Sequence, residues 1–254
     1  MGRLDGKVAI ISGGVQGIGQ ACAIRMAREG AKVVIADILD DTSTYDQIVA
    51  DGGTAHQLQM DTRKREDWQR TVEETSSAFG PVGLLGNVAG VVNLKSEDSV
   101  VGLTDEGWDY VLDTDLRGVW LGMQATIPTM IENGGGRIVN ISSLAAVKGL
   151  TNLASYSAAK GGVIGLTQQA ALEYAKSNVL VNAIAPGTID TPILKDITDE
   201  MRAQNANSHM IKRLGQPSEV AGMMAYLFDP VDGAFQTGLL FPVDGGWSVN
   251  GLNY

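Results

Sequence analysis

Tyr156 and Lys160 stand four residues apart in the run LASYSAAKGG, so on a helix they share one face. A free phenol titrates near pH 10, about three units too high to act as a base at neutrality. An ammonium beside it stabilises the phenolate and brings that value down. Gly161 and Gly162 remove side chains next to the pair, as close approach of a ligand would require. Upstream, Ser143 closes the apolar run RIVNISS and could hold a carbonyl or hydroxyl oxygen. The chemistry such a trio offers is proton exchange with an oxygen on carbon. A Tyr and a Lys at this spacing also occur on ordinary solvated helix faces, so other stretches must supply the reaction.

The first strand-like run leads into SGGVQGIG, with Gly13, Gln16, Gly17, Ile18 and Gly19. Glycines here permit φ > 0 and let backbone approach a pyrophosphate, which then sits at the N-terminus of the following helix. The spacing is G-x-x-x-G-x-G, and a tight strand-to-helix turn alone would also use it. The second strand, KVVIAD, ends in Asp37. An acid there can accept both ribose hydroxyls of an adenosine half and would repel a 2′-phosphate. Neither Ile38 beside it nor Gln16 in the loop offers a cation for that phosphate, so the cofactor expected is NAD.

Elements that could position these groups alternate along the chain. Strands are expected at 7–12, 31–36, 54–59, 83–88, 137–142 and 179–183. Helices are expected at 17–29, 41–51, 64–79, 104 to about 131, and 154–176. Strands alternating with helices imply a parallel sheet covered on both faces, and the near-continuous apolar runs VAII, KVVIA and RIVNI fit that burial. No linker or repeat divides residues 1–254, which read as a single dinucleotide-binding and catalytic domain. Asn93–Gly102 reads as a polar loop, and Thr191–Arg213, bounded by PG and GQP, as a substrate lid or a plain surface excursion.

Composition narrows the classes. The chain has 254 residues, 44% of them hydrophobic and 19% charged, as in an ordinary globular α/β protein. With 19 basic against 29 acidic residues the net charge is −10, which argues against nucleic acid or an anionic membrane as partner. The one cysteine, Cys22, lies among Ala21, Ala23 and Ile24 and reads as a packed core thiol in a reducing compartment. His56 and His209 are far apart and have no Cys or His neighbours, so no zinc ligand set is visible. No apolar run reaches membrane-spanning length and the first residues read as a strand rather than a signal peptide, so a soluble, cytoplasmic protein is expected.

The order of these motifs resembles the short-chain dehydrogenase/reductase family from about Gly6 to Trp247. SGGVQGIG, Asp61, the NVAG of Asn87–Gly90, NISS, YSAAK, Pro186-Gly187 with Thr191, RLGQPSEVA and VDGGWS carry the resemblance. Ser12 stands where Thr is common, and Val88 where a second Asn is common. The resemblance implies a single-domain doubly wound Rossmann fold with a seven-stranded parallel sheet, assembled as a homotetramer. Tyr156 would be the general acid/base. Lys160 would lower its pKa and hydrogen-bond the nicotinamide ribose, and Ser143 would orient the substrate oxygen. Asp61, with Thr62 beside it, would contact adenine. Backbone at Asn87, Ala89 and Gly90 would line the adenosine ribose, and Pro186, Gly187, Ile189 and Thr191 would hold the nicotinamide. Hydride would pass between nicotinamide and the carbinol carbon with no metal.

The family's fourth catalytic residue is an Asn, and the run WDYVLDTDLRGVW has Asp115 there. Trp108, Val111, Leu112, Val119 and Gly122 form an apolar helical stripe, off which Asp109 and Asp113 fall and on which Asp115 falls. Either this carboxylate shares in the proton path, protonated or linked to Lys160, or it only fills the asparagine's space and satisfies backbone N–H groups. The pocket wall is expected from Leu144, Ala145, Val147, Leu150 and Leu153, with Val91, Val92, Ile193 and Leu194 as additions. It is mostly apolar and has no cation for a carboxylate or phosphate. A neutral hydrophobic secondary alcohol or ketone, cyclic, terpenoid or steroid-like, is the substrate expected. A 3-oxoacyl-thioester reductase would share every motif but would want a basic docking surface and NADPH. A catalytically silent NAD-binding sensor would have no chemical reason to keep Ser143, Tyr156 and Lys160.

Overall fold

The computed structural model describes residues 2–93 and 96–250, so residues 94 and 95 of the expected Asn93–Gly102 loop lie outside the described residues. Seven parallel strands form one sheet in the order β3-β2-β1-β4-β5-β6-β7. They are β1 Val8–Ser12, β2 Lys32–Asp37, β3 Thr54–Gln59, β4 Leu84–Asn87, β5 Gly136–Ile141, β6 Val179–Pro186 and β7 Leu240–Val243. Alternate residues of each strand feed opposite cores, as the period of two requires. Ala9 and Ile11, with Val33 and Ile35, pack under α1 (Gly17–Arg28), α2 (Ser43–Ala50) and α8 (Pro217–Phe228). Ile10, Val34 and Ala36 pack on the other face, under Trp68 of α3 (Arg65–Phe79), α5 (Gly118–Glu132) and α6 (Ala154–Tyr174). Burial on both faces explains why these strands are apolar throughout instead of alternating.

Three elements escaped the pattern: α7 (Asp199–Ser208), α8 and β7. The helix α8 begins with Pro217 in its first turn, and Glu219 reaches back to accept the Gln216 N–H at 2.7 Å. That return contact is the capping chemistry expected after GQP. The strand β7 is the short edge run LFPV, whose Pro242 has no N–H to give a further neighbour. The long helical region is broken into α4 (Asp105–Leu112), a π-helical turn at Asp113–Arg117, and α5. Among the described residues, no helix is long and apolar enough to cross a membrane.

Candidate active site

β1 and β4 are neighbours whose connections leave toward opposite edges of the sheet, and this switch point is where open α/β sheets bind ligands. Here the loop after β1 meets the loop after β4. The Ser12 hydroxyl accepts the Val88 and Ala89 N–H groups at 3.0 and 3.3 Å and donates to Gly86 O at 3.4 Å. Serine thus ties the two loops at the position where Thr is common. Gly13 has φ +67°, and a Cβ there would come 2.7 Å from Ala89 Cα. A Cβ on Gly19 would overlap Gly13 O. The cradle therefore needs these glycines to pack against its neighbours as well as to admit a phosphate.

Asp37 ends β2 and is buried. Its Oδ2 accepts the Val15 N–H at 3.0 Å, fixing the cradle loop, and its Oδ1 accepts the Leu39 N–H at 3.0 Å. Each carboxylate oxygen has about two lone-pair sites, so capacity remains for ribose hydroxyls. Ile38 beside it is 55% exposed and could cover one face of a purine. Arg63 grips the Asp61 carboxylate at 2.7 Å and holds it below the usual carboxylate range. Thr62 packs against Gly118 at the head of α5. The Asn87 side chain turns into the core and donates to Asn140 Oδ1 at 2.8 Å, which leaves its backbone to face a ligand. The loop after β6 closes the ring of contacts: a Cβ on Gly17 would lie 3.3 Å from Thr191 Cβ, and Ile189 is buried and bridges to Gly215. A cleft of about 470 Å³ runs along the outer side of the cradle between Gln16, Gly17, Leu39 and Pro192, and neither Tyr156 nor Ser143 lines it.

The proton-handling groups gather where β5 ends and α6 begins. Ser143 caps a 3-10 turn at Leu144–Ala146, accepting the Ala145 N–H at 3.1 Å. Ser142, one residue earlier, donates to Lys160 O at 2.9 Å and so ties the strand end to α6. Lys160 is 2% exposed; its Nζ lies 5.5 Å from the Tyr156 ring centre and donates to Ile141 O at 3.0 Å. Asp115 is 0% exposed, and its Oδ2 stands 3.0 Å from Lys160 Nζ while its Oδ1 accepts the Val91 N–H at 2.8 Å. The Oδ2 contact is one of charge rather than an aligned hydrogen bond. A Cβ on Gly90 would come 2.9 Å from that oxygen, so glycine makes the approach possible.

The electrostatics differ from the expectation that an ammonium alone would set the phenol. Tyr156 is partly exposed. Burial pushes the Tyr156 phenol above its ordinary value, Lys160 opposes this, Asp115 adds to the rise, and a hydrogen bond with Ser143 opposes it; the net is upward. Burial pushes Lys160 down, yet Asp115 and then Tyr156 outweigh it and the ammonium is held above its usual value. Burial also raises Asp115, against the pull of Lys160 and the Val91 N–H. Cys22 is fully enclosed, its thiol pushed up to about 12, which fits a packed core residue.

Some expectations shift. The Gly162 position makes room for Leu116 of the π turn, since a Cβ there would come 2.8 Å from Leu116 Cδ1, and nothing lies within 4 Å of a Cβ on Gly161. Gly162 thus serves helix packing, and Gly161 borders open space. Trp108 is 43% exposed, so the apolar stripe starts at Val111. Leu144 and Ala145 are buried and offer little side-chain surface, while Val91, Val92, Leu150, Leu153, Leu194 and Ile193 keep some.

Two residues stood outside the sequence reading. Asp98, buried, accepts the Ser155 N–H and Ser155 hydroxyl, each at 2.9 Å, and its backbone oxygen accepts the Ala154 N–H at 2.9 Å. It caps the first turn of α6 from a distant loop. His209, buried, accepts the Thr188 N–H at 3.2 Å and stacks edge-on against Trp247, behind the Pro186–Gly187 loop. No local signal marks either contact.

A family model described as "Enoyl-(Acyl carrier protein) reductase" matches residues 13–248. The chain is 39% identical to the cyclohexanol dehydrogenase of Acinetobacter sp. (strain SE19), over 97% of this chain and 96% of that protein. It is 37% identical to the 3-alpha-(or 20-beta)-hydroxysteroid dehydrogenase of Mycobacterium bovis, over 99% of this chain and 92% of that one. Among solved structures, levodione reductase superposes with a TM-score of 0.91 at 30% identity, covering 98% of this chain and all of that one. The fold, the cradle and the Ser-Tyr-Lys cluster, with these relatives, place the chain in the short-chain dehydrogenase/reductase family. It is an oxidoreductase that works with a nicotinamide cofactor.

Proposed function

We propose that the protein interconverts neutral cyclic secondary alcohols and their ketones with NAD as cofactor. The observation that carries the reading is the convergence of Ser143, Tyr156 and Lys160 at the end of β5, with apolar side chains around them and an acid, Asp37, at the end of β2. Bound NAD supplies the site that accepts or returns a hydride. In the oxidising direction Tyr156 takes the proton of the substrate hydroxyl at its phenolic oxygen. Ser143 donates to or accepts from the same substrate oxygen and orients the carbinol carbon. Lys160 holds positive charge beside the phenol and offers N–H to the cofactor's ribose. Gly13, Gly17 and Gly19 admit the pyrophosphate, Asp37 and Ile38 take the adenosine half, and Pro186, Gly187, Ile189 and Thr191 flank the nicotinamide.

Support for a cyclic substrate comes from the named relatives, one acting on cyclohexanol and one on hydroxysteroids. Support for NAD comes from the buried Asp37 carboxylate, which would repel a 2′-phosphate. A net charge of −10 disfavours docking an acidic carrier protein, as the thioester alternative would need. The assembly we attach to this reading is a homotetramer in the cytoplasm, and Trp108, Tyr110 and Trp120 on α4 and α5 are exposed large side chains.

The test is a substrate panel with NAD: cyclohexanol, a hydroxysteroid, a sugar alcohol and a 2-hydroxy acid. Cyclohexanol or the steroid should give the highest kcat/KM, and a faster sugar or acid would overturn the assignment.

A further inference from the structure

Lys160 has three N–H donors and no acceptor. One goes to Ile141 O at 3.0 Å, and a second side of the ammonium faces Asp115 Oδ2, also at 3.0 Å. Both side chains are out of water, and Oδ2 has no other partner among the described residues. The π-helical turn Asp113–Arg117 sets the carboxylate in place, with Leu116 wedged against Gly162 of α6 and Val91 N–H holding Oδ1. Such turns insert a residue into a helix and often re-aim a side chain at a functional site. A neutral amide could fill the same space, but it would bring no charge to the lysine.

We propose that Asp115 is the fixed counter-ion of Lys160 and so a positioning residue for proton transfer, dividing the ammonium's charge between its own carboxylate and Tyr156. The inference rests on the reading of Tyr156 as the general acid/base. The titratable groups facing Asp115 are Lys160 and Tyr156 of α6, since Asp113, on the same turn, is exposed to water. With Lys160 partly neutralised, the phenolate loses stabilisation and Tyr156 keeps its proton to higher pH. Asp115 holds the lysine up and pushes the phenol up, while burial works against the carboxylate's own charge and Lys160 and the Val91 N–H oppose that burial. The site is thereby biased to hold a proton for ketone reduction at neutral pH and to oxidise alcohols at alkaline pH.

The test is Asp115→Asn, which keeps the shape and the Val91 acceptor but removes the charge. Two pH titrations are read: kcat/KM for cyclohexanol oxidation with NAD, and the ultraviolet phenolate signal of cofactor-free protein, taken as the difference from a matching Tyr156→Phe protein. Both should move to lower pH by about one unit or more, the size of a close charge effect on a buried group. Unchanged curves, or a move to higher pH, would overturn the proposal and leave Asp115 a filler of space. If circular dichroism shows the Asn variant unfolded, Asp115→Ser carries the same expectation. A Tyr156→Phe enzyme as fast as wild type would overturn the acid–base reading alone, while the phenolate titration still decides the charge of Asp115.

Discussion

At the scale of single residues, the chemistry rests on groups whose neighbours decide what they can do. Asp37 is the clearest case, because its two oxygens brace the cradle loop and the following turn while keeping lone pairs free. Asp37→Ala should raise KM for NAD about tenfold or more, the loss of charge-assisted hydrogen bonds at about 1.5–3 kcal/mol each, and should narrow the preference over NADP. Initial rates with each cofactor check this, and an unchanged ratio would remove Asp37 as the discriminating acid. The nearness of Tyr156 and Lys160 and the place of Asp37 at the end of β2 were legible in the sequence, because spacing within one helix, or position at a strand end, is local information. Asp98 was not legible, since its partner Ser155 is 57 residues away and only the folded loop brings them together. The tie between Ser12 and the loop after β4 was hidden for the same reason.

At the scale of elements, α6 is the platform, and its start is held from outside. Leu153, at its N-cap position, makes no side-chain cap, so Asp98 supplies the acceptors and a negative charge at the positive helix end. Asp98→Ala should lower stability by about 1–3 kcal/mol, because it orphans a buried N–H and a hydroxyl. It should also lower kcat more than it changes the KM for NAD. Thermal melts and steady-state kinetics measure both, and a melt identical to wild type would contradict the cap. The segment expected as a lid contains a 3-10 turn at Pro192–Leu194 and α7 (Asp199–Ser208). None of the α7 residues is buried, and it is tied back by Arg202 to Asp190 at 2.7 Å. An element with so little buried surface belongs to the low-stability end of the structure. If it closes as a lid, saturating NADH with cyclohexanone should slow proteolytic cleavage within α7; equal cleavage rates would leave it a surface excursion. Composition showed that this stretch was set apart, but periodicity could not reveal a helix with almost no apolar face. The π turn was equally invisible, because i, i+3, i+4 spacing assumes an unbroken helix across Asp113–Arg117.

At the scale of the whole molecule, the alternation of apolar strands and helices foretold a parallel sheet, and six of its strands lie within a few residues of where the pattern puts them. The seventh was implied only by resemblance, since a four-residue edge strand carrying a proline gives no period to read. What the topology adds is convergence. The ends of β1, β2, β4, β5 and β6 bring the Gly13–Gly19 loop, Asp37, Asn87–Gly90, Ser143 and the Pro186–Thr191 loop to one rim of the sheet. The exposed aromatic residues on α4 and α5 belong to this scale too, and light scattering should return the mass of four chains of 26.8 kDa. A monomer would contradict the proposed assembly. The central claim, that Tyr156 moves the proton while NAD takes the hydride from a cyclic alcohol, is tested most directly by NADH formation from cyclohexanol in wild type and in Tyr156→Phe. Removing a general acid/base should cut kcat/KM about 10²–10⁴-fold with the fold intact. Equal rates in the two proteins would contradict the account.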